Sequence, residues 1–211
     1  MKFNKILNNQ SREKHKSSVD ILFSVCPDLM KDKIPEANVQ QGFGYECVKK
    51  LYKSGDKVLC VGAYMDTCSE TLSREGMCIE KIDPQMNGLD LEKFYNLPSS
   101  KNESYDIIFS ISVLEHVSED ERFMSLISKL LKKDGKAIIT CDFKNGYKDG
   151  DEKPNEDCRL YTKEDLLYRI LPKMEGCKLI DEPEWDEQNP DFWYQGKYNY
   201  TFATFVVEKY K

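Results

Sequence analysis

KVLCVGAYMDTCSETLSREGMCIEKID, running from Lys57 to Asp83, reads as an apolar strand, a turn, a helix and a second strand that ends in an acid. Val58 to Val61 is a short apolar run, and Gly62 stands at its end, where a chain must turn sharply and let a ligand approach the backbone. A helix fits Asp66 to Glu75, because Asp66 or Thr67 can cap its amino end and Gly76 stops it. The second strand, Met77 to Ile82, carries Asp83 to its carboxyl end, 21 residues after Gly62. That is near the spacing at which an acid reaches a ribose hydroxyl pair in an α/β nucleotide pocket. The turn holds a single glycine, since Tyr64 and Asp66 stand where a glycine-rich loop would continue.

Downstream, YDIIFSISVLEHVSEDERFMSLISKLL predicts a strand over Asp106 to Ile111, a turn over Val113 to Val117 and a helix over Glu119 to Leu131. Phe123, Leu126, Ile127, Leu130 and Leu131 supply that helix with a buried stripe. KAIIT opens a further strand, and this strand–helix–strand rhythm implies a parallel sheet with helices on its faces. Between the two units, Pro84, Gly88 and Pro98 break the chain, so the crossover is abbreviated, with a short strand near Gly88 to Leu91. At the carboxyl end, CKLIDEP and TFATFVVEK are joined by a connector too short for a helical crossover, so they pair antiparallel as an edge hairpin.

Upstream, residues 1–18 read as a loosely held arm or a short helix over the pocket, with His15 solvated. Val19 to Met30 is helical until Pro27, and 31–41 is a connector. Gly42, Phe43 and Gly44 form a flexible aromatic loop or a hinge ahead of a helix that carries Tyr45, Val48, Leu51 and Tyr52 and closes at Gly55. The expected organisation is an amino-terminal arm and helix over 1–41 followed by one domain over 42–211.

Composition narrows the partners. With a net charge of −6 and a pI near 5.2, the chain is a poor match for a phosphate backbone. The eight cysteines are scattered without a CxxC or Cys/His cluster, which predicts free thiols and no structural zinc. No ligand spacing marks a Mg²⁺ site. The start lacks a signal-peptide core and no apolar run is long enough for a membrane span, so the expectation is a soluble, cytoplasmic protein.

From Tyr45 to Lys209 the chain resembles the class I S-adenosylmethionine-dependent methyltransferases of the small-molecule type. YDIIFSISVLEHV followed by LLKKDGKAIIT is similar to that family's fourth strand, its helix and the fifth strand, and the terminal hairpin to its last two strands. The resemblance implies a Rossmann-like, doubly wound, mostly parallel seven-stranded sheet with an antiparallel carboxyl-terminal hairpin. It also implies S-adenosyl-L-methionine as the cofactor, held by Gly62, Ala63, Tyr64, Asp66, Asp83, Asp90, Ser112 and Glu115. Asp83 takes the place of the ribose acid and Asp90 that of the acid near the adenine. The family usually has an acid where Cys60 stands and glycines at Tyr64 and Asp66, so this loop departs from the pattern; Asp66 either meets the cofactor's amino group or only caps a helix.

Methyl transfer from a sulfonium needs alignment and, for a hydroxyl acceptor, removal of a proton. His116, at the rim after the fourth strand, serves as that base or belongs to a structural turn, and Asp142 ends the fifth strand as a second candidate. The polar stretch CDFKNGYKDGDEKPNEDCRLY leaves that strand's end and forms either a substrate wall, with Asp157, Arg159 and Tyr161 as acceptor contacts, or a solvated charged loop. Trp193 and Tyr194 either stack on a sugar face or cover the sheet edge. Similarity of the shortened crossover, the polar loop and RLYTKEDL to sugar-modifying methyltransferases implies O-methylation of a glycan or sugar hydroxyl. The alternatives are another small metabolite, a catalytically silent Rossmann-like binding module and, further off, a nicotinamide oxidoreductase.

Overall fold

A computed structural model describes residues 1–100, 102–154, 158–186 and 189–211. Seven strands form one mixed sheet: β1 (Val58–Val61), β2 (Ile79–Ile82), β3 (Tyr105–Ile111), β4 (Leu131–Phe143), β5 (Cys177–Leu179), β6 (Phe192–Tyr194) and β7 (Tyr198–Lys209). Their order is β2-β1-β3-β4-β7-β5, with β6 also on β7. The first four run parallel, and β7 is antiparallel to β4, β5 and β6. Alternation along β1 builds two cores at once: Val58 and Cys60 face one apolar cluster, Leu59 and Val61 the other.

Helices cover both faces. α1 (Asn9–Lys14), α2 (Lys16–Val25), α3 (Pro27–Lys31) and α4 (Asn38–Leu51) precede β1, and α5 (Thr67–Arg74) follows it. α6 (Pro84–Asn87) and α7 (Leu91–Tyr95) fill the crossover after β2, and α8 (Asp120–Leu130) joins β3 to β4. Phe43, Val48, Cys68 and Leu72 pack on one face, whereas Leu91, Phe94, Leu126 and Leu130 pack on the other.

The expected arm is an integral part of the sheet, because β7 has an outer edge that must be bonded. Lys5 accepts from Thr204 N (2.9 Å), Leu7 donates to Phe202 O (2.8 Å), and the buried Asn4 side chain bonds both N and O of Val206. The segment therefore covers β7 between β5 and β6. His15 is not solvated: it is fully buried, with Nδ1 2.9 Å from Glu46 Oε1 and Nε2 3.0 Å from Lys5 Nζ. Burial lowers its pKa, against the opposing pull of Glu46.

Gly42 and Gly44 lie inside α4 rather than in a loop. A Cβ at Gly42 would come within 2.8 Å of Val19, and one at Gly44 within 2.8 Å of Ile111, so both glycines allow close packing of the helix on α2 and β3. The strand expected over Gly88 to Leu91 does not form. Gly88 takes a left-handed φ of 75° to end α6, and Asp90 caps α7 by accepting from Lys93 N at 2.7 Å. Thr162 and Asp165 form a reciprocal capping box, with Asp165 N donating to Thr162 Oγ1 at 3.0 Å and Thr162 N to Asp165 Oδ2 at 3.1 Å. The turn they open, Asp165–Ile170, winds as a π-helix. Among the described residues no helix is long and apolar enough to cross a membrane.

Candidate functional site

The carboxyl ends of β1 and β2 open into a cavity of about 350 Å³. Gly62, Asp83, Pro84, Asp90, Val113 and Phe123 contribute to its wall. Its position is dictated by topology, since ligands of open α/β sheets sit beyond the strand carboxyl ends. Gly62 has a φ of 79°, and a Cβ there would lie 2.4 Å from Val113 Cγ2, so only glycine fits. Its amide and that of Ala63, which is buried, donate to Ile82 O at 2.9 and 3.1 Å, locking the turn to β2. Asp83, 8% exposed, uses Oδ1 to cap α6 by accepting from Gln85 N at 2.7 Å. Asp90 is more open, and the Lys93 backbone N–H holds its carboxyl below the ordinary range.

The glycine-poor loop splits into an exposed and a buried part. Tyr64 is 46% exposed, and Met65 takes a φ of 55°. Asp66 turns inward, its Oδ1 capping α5 by accepting from Ser69 N at 2.6 Å. Its Oδ2 is buried without a hydrogen-bond partner among the described residues, as are Asn38 Oδ1 and both polar side-chain atoms of Gln40. An unpaired buried polar atom costs about 1–3 kcal/mol, a cost the folded chain carries at these groups. Gln41 stands beside them, accepting from Cys68 N at 2.9 Å. Sequence reading missed Asn38, Gln40 and Gln41 because the connector hid their helix.

A second group lies at the carboxyl ends of β3 and β4. Ser112, at φ 56°, donates from its hydroxyl to Glu115 Oε1 at 2.7 Å. Glu115 is 1% exposed, and its Oε2 has no partner among the described residues. Burial raises its pKa despite the nearby His116, and burial followed by the charge of Glu115 pushes Asp142 well above the carboxylate range. Cys158 Sγ lies 3.5 Å from Asp142 Oδ2, and Arg159 N donates to Glu115 O at 2.8 Å, so the strand-like return at 158–161 passes over both acids. Because the folded protein holds these protons more tightly than the unfolded chain, stability falls as pH rises above about 4, the usual Glu value. Glu115→Gln is therefore expected to melt above the wild type at pH 8, with the gap closing near pH 4; calorimetric scans showing equal gaps at both pH values would refute this.

His116 is exposed at the rim, and its ring makes no hydrogen bond or ion pair among the described residues. Tyr161 requires a correction as an acceptor contact. It is fully buried, and its hydroxyl donates to Asp120 Oδ2 at 2.7 Å with Leu114 O also 3.1 Å away, leaving no face for a ligand. Arg159 pairs with the same Asp120, yet its side chain stays 40% exposed. Trp193 is 59% exposed beside half-buried Tyr194, on the far side of β7 from the cavity. Asp157 lies outside the described residues. Among the described residues no cluster of His, Cys, Asp or Glu is arranged to hold a metal ion.

Comparison with known proteins bears on this geometry. Residues 49–139 match the family model described as a methyltransferase domain. No curated protein matches the chain. Among solved structures, the cyclase SpnF aligns with a TM-score of 0.60 at 13% identity, covering 99% of each chain. The 1,6-didemethyltoxoflavin-N1-methyltransferase of Burkholderia thailandensis, solved with S-adenosylhomocysteine, aligns with a TM-score of 0.54 at 13% identity, over 95% of this chain and 91% of its own. A phosphoethanolamine N-methyltransferase 2 of Haemonchus contortus gives a TM-score of 0.53 at 15% identity, over 80% of this chain; the chain spans 52% of that protein's length. At these identities the likeness establishes the fold, a Rossmann-like α/β sheet with antiparallel carboxyl-terminal strands.

Proposed function

We propose, from the match of residues 49–139 to a methyltransferase-domain model, that the chain is an S-adenosylmethionine-dependent methyltransferase acting on a hydroxyl of a small polar acceptor, a sugar or glycan being the candidate class. The observation that carries the cofactor assignment is the cavity in which Gly62, Asp83 and Asp90 converge. In this reading Asp83 holds the ribose hydroxyls, Asp90 stands near the adenine, and Pro84, Val113 and Phe123 supply its apolar walls. Asp66 Oδ2 and the amides of Asn38 and Gln40 satisfy the polar amino-acid end. When bound, the cofactor supplies a methyl group already activated on a sulfonium.

The chain's own part is then positioning and proton management. Gly62 lets the backbone approach, and the 158–161 return keeps water from the acids beneath it. Asp142 and Glu115, both buried and hard to ionise together, form a pair of acids of which the one left ionised accepts the proton of the acceptor hydroxyl. His116 at the rim is the alternative base, and Arg159, with Trp193 and Tyr194 further out, orients the acceptor. Residues 1–41 act as a cover welded to the domain over 42–211.

One observation favours a second acceptor class. Glu115 Oε2, buried and unpaired, would in its ionised form pair with a protonated amine and take up its proton, freeing the nitrogen lone pair that N-methylation needs. The titrimetric difference between the two is testable with purified protein and labelled S-adenosylmethionine offered to panels of sugars and of small amines. Turnover confined to sugars supports the hydroxyl reading, and turnover confined to amines replaces it. Binding of neither S-adenosylmethionine nor its demethylated product in calorimetry overturns both and leaves a Rossmann-like binding module.

A further inference from the structure

Asn87 closes α6, four residues past Asp83. Its side-chain amide contacts the main chain three times: Nδ2 donates to Lys81 O at 2.9 Å, and Oδ1 accepts from Asp83 N at 3.2 Å and from Leu89 N at 3.3 Å. Lys81 and Asp83 flank Ile82, whose carbonyl faces inward and accepts from Gly62 and Ala63. The peptide groups that Asn87 takes are therefore those on the outer edge of β2, the end strand of the sheet. In a sheet extended by one more strand, the next strand would bond them. A carboxamide offers one donor and one acceptor at peptide-like separation, so one side chain does for this short edge what a strand would otherwise do.

The three anchored positions are not scattered. Asp83 and Leu89 both line the cavity, and Asp90 follows directly on Leu89. Gly88, in its left-handed conformation between Asn87 and Leu89, turns the chain back so that this is geometrically possible. We propose that Asn87 is a positioning residue for cofactor binding: it replaces the missing outer strand and holds Asp83 and the Leu89–Asp90 wall at a fixed separation. It touches no ligand itself. The proposal rests on the S-adenosylmethionine reading above.

A double-mutant cycle tests it, with S-adenosylhomocysteine as the calorimetric probe and thermal melting as the fold control. Asn87→Ala is expected to weaken binding about tenfold, in line with the few kcal/mol at most carried by such hydrogen bonds. Added to Asp83→Ala, it should cost almost nothing more, because the carboxylate it positions is already gone. A purely structural role would add its full effect in both backgrounds, and that additivity, like an unchanged dissociation constant in the single variant, overturns the proposal. Should Asn87→Ala not fold, Asn87→Asp, which keeps the two acceptor bonds and loses the donor to Lys81 O, carries the same cycle. Failure of the unaltered chain to bind the probe overturns the cofactor reading and this proposal with it, whereas binding with an additive cycle overturns Asn87 alone.

Discussion

Asp83→Ala weakens S-adenosylmethionine binding by about a hundredfold, and Asp83→Asn by about tenfold; these are the expected results of calorimetry on the two variants. A hydrogen bond to a charged group contributes about 1.5–3 kcal/mol, and about 1.4 kcal/mol corresponds to a factor of ten in affinity. The carboxylate is placed for this, since only Oδ1 is engaged by Gln85 N and the residue lines the cavity. Two variants are needed because Asp83 also caps α6. Asparagine is as good an N-cap as aspartate, so Asp83→Asn keeps the local fold while replacing one acceptor by a donor. An unchanged dissociation constant for Asp83→Ala would remove the residue from the site.

Loss of Asp120 has the largest expected effect on stability. The carboxylate is 4% exposed and receives Arg159, both oxygens of contact from Arg169 at 2.9 Å, and the Tyr161 hydroxyl. Removing one partner of a buried ion pair costs about 3–5 kcal/mol, and partial exposure of both arginines reduces this to about 2–4. For a chain of this size Asp120→Ala should then melt about 5–15 °C below the wild type. The pH dependence follows from the same contacts. Burial opposes ionisation of Asp120, but the bonds from Arg159, Tyr161 and Arg169 prevail and lower its pKa. A depressed native value means stability present above about pH 4, the unfolded value, and lost as pH falls through the native one. Equal melting of variant and wild type at pH 7 would show that the network contributes nothing.

Asp120 also explains why part of the site escaped sequence reading. Arg159 and Tyr161 sit in a polar loop that patterning marks as acceptor-facing, yet one of them is buried and both converge on an acid at the start of α8, 39 and 41 residues away. Nothing local announces such a pairing. The burial of His15 and the docking of the amino-terminal arm are hidden for the same reason, since the partners of His15 and Asn4 come from α4 and β7. By contrast Gly62, Asp66 as a helix cap, Asp83 at the end of β2 and the β3–α8–β4 unit depend on nearest neighbours along the chain, and each lies where periodicity and capping rules put it.

Local patterning was thus sufficient for the parallel α/β sheet, the antiparallel edge and the turn that makes the cavity, because alternation, caps and glycine stops act over a few residues. Tertiary structure alone decided three things: that the amino terminus seals β7, that Glu115 and Asp142 share one buried environment, and that Asn87 stands in for an outer strand. Each depends on groups far apart in sequence or on which peptide edge remains unbonded after folding, and hydrogen-bond satisfaction and desolvation are properties of the folded whole.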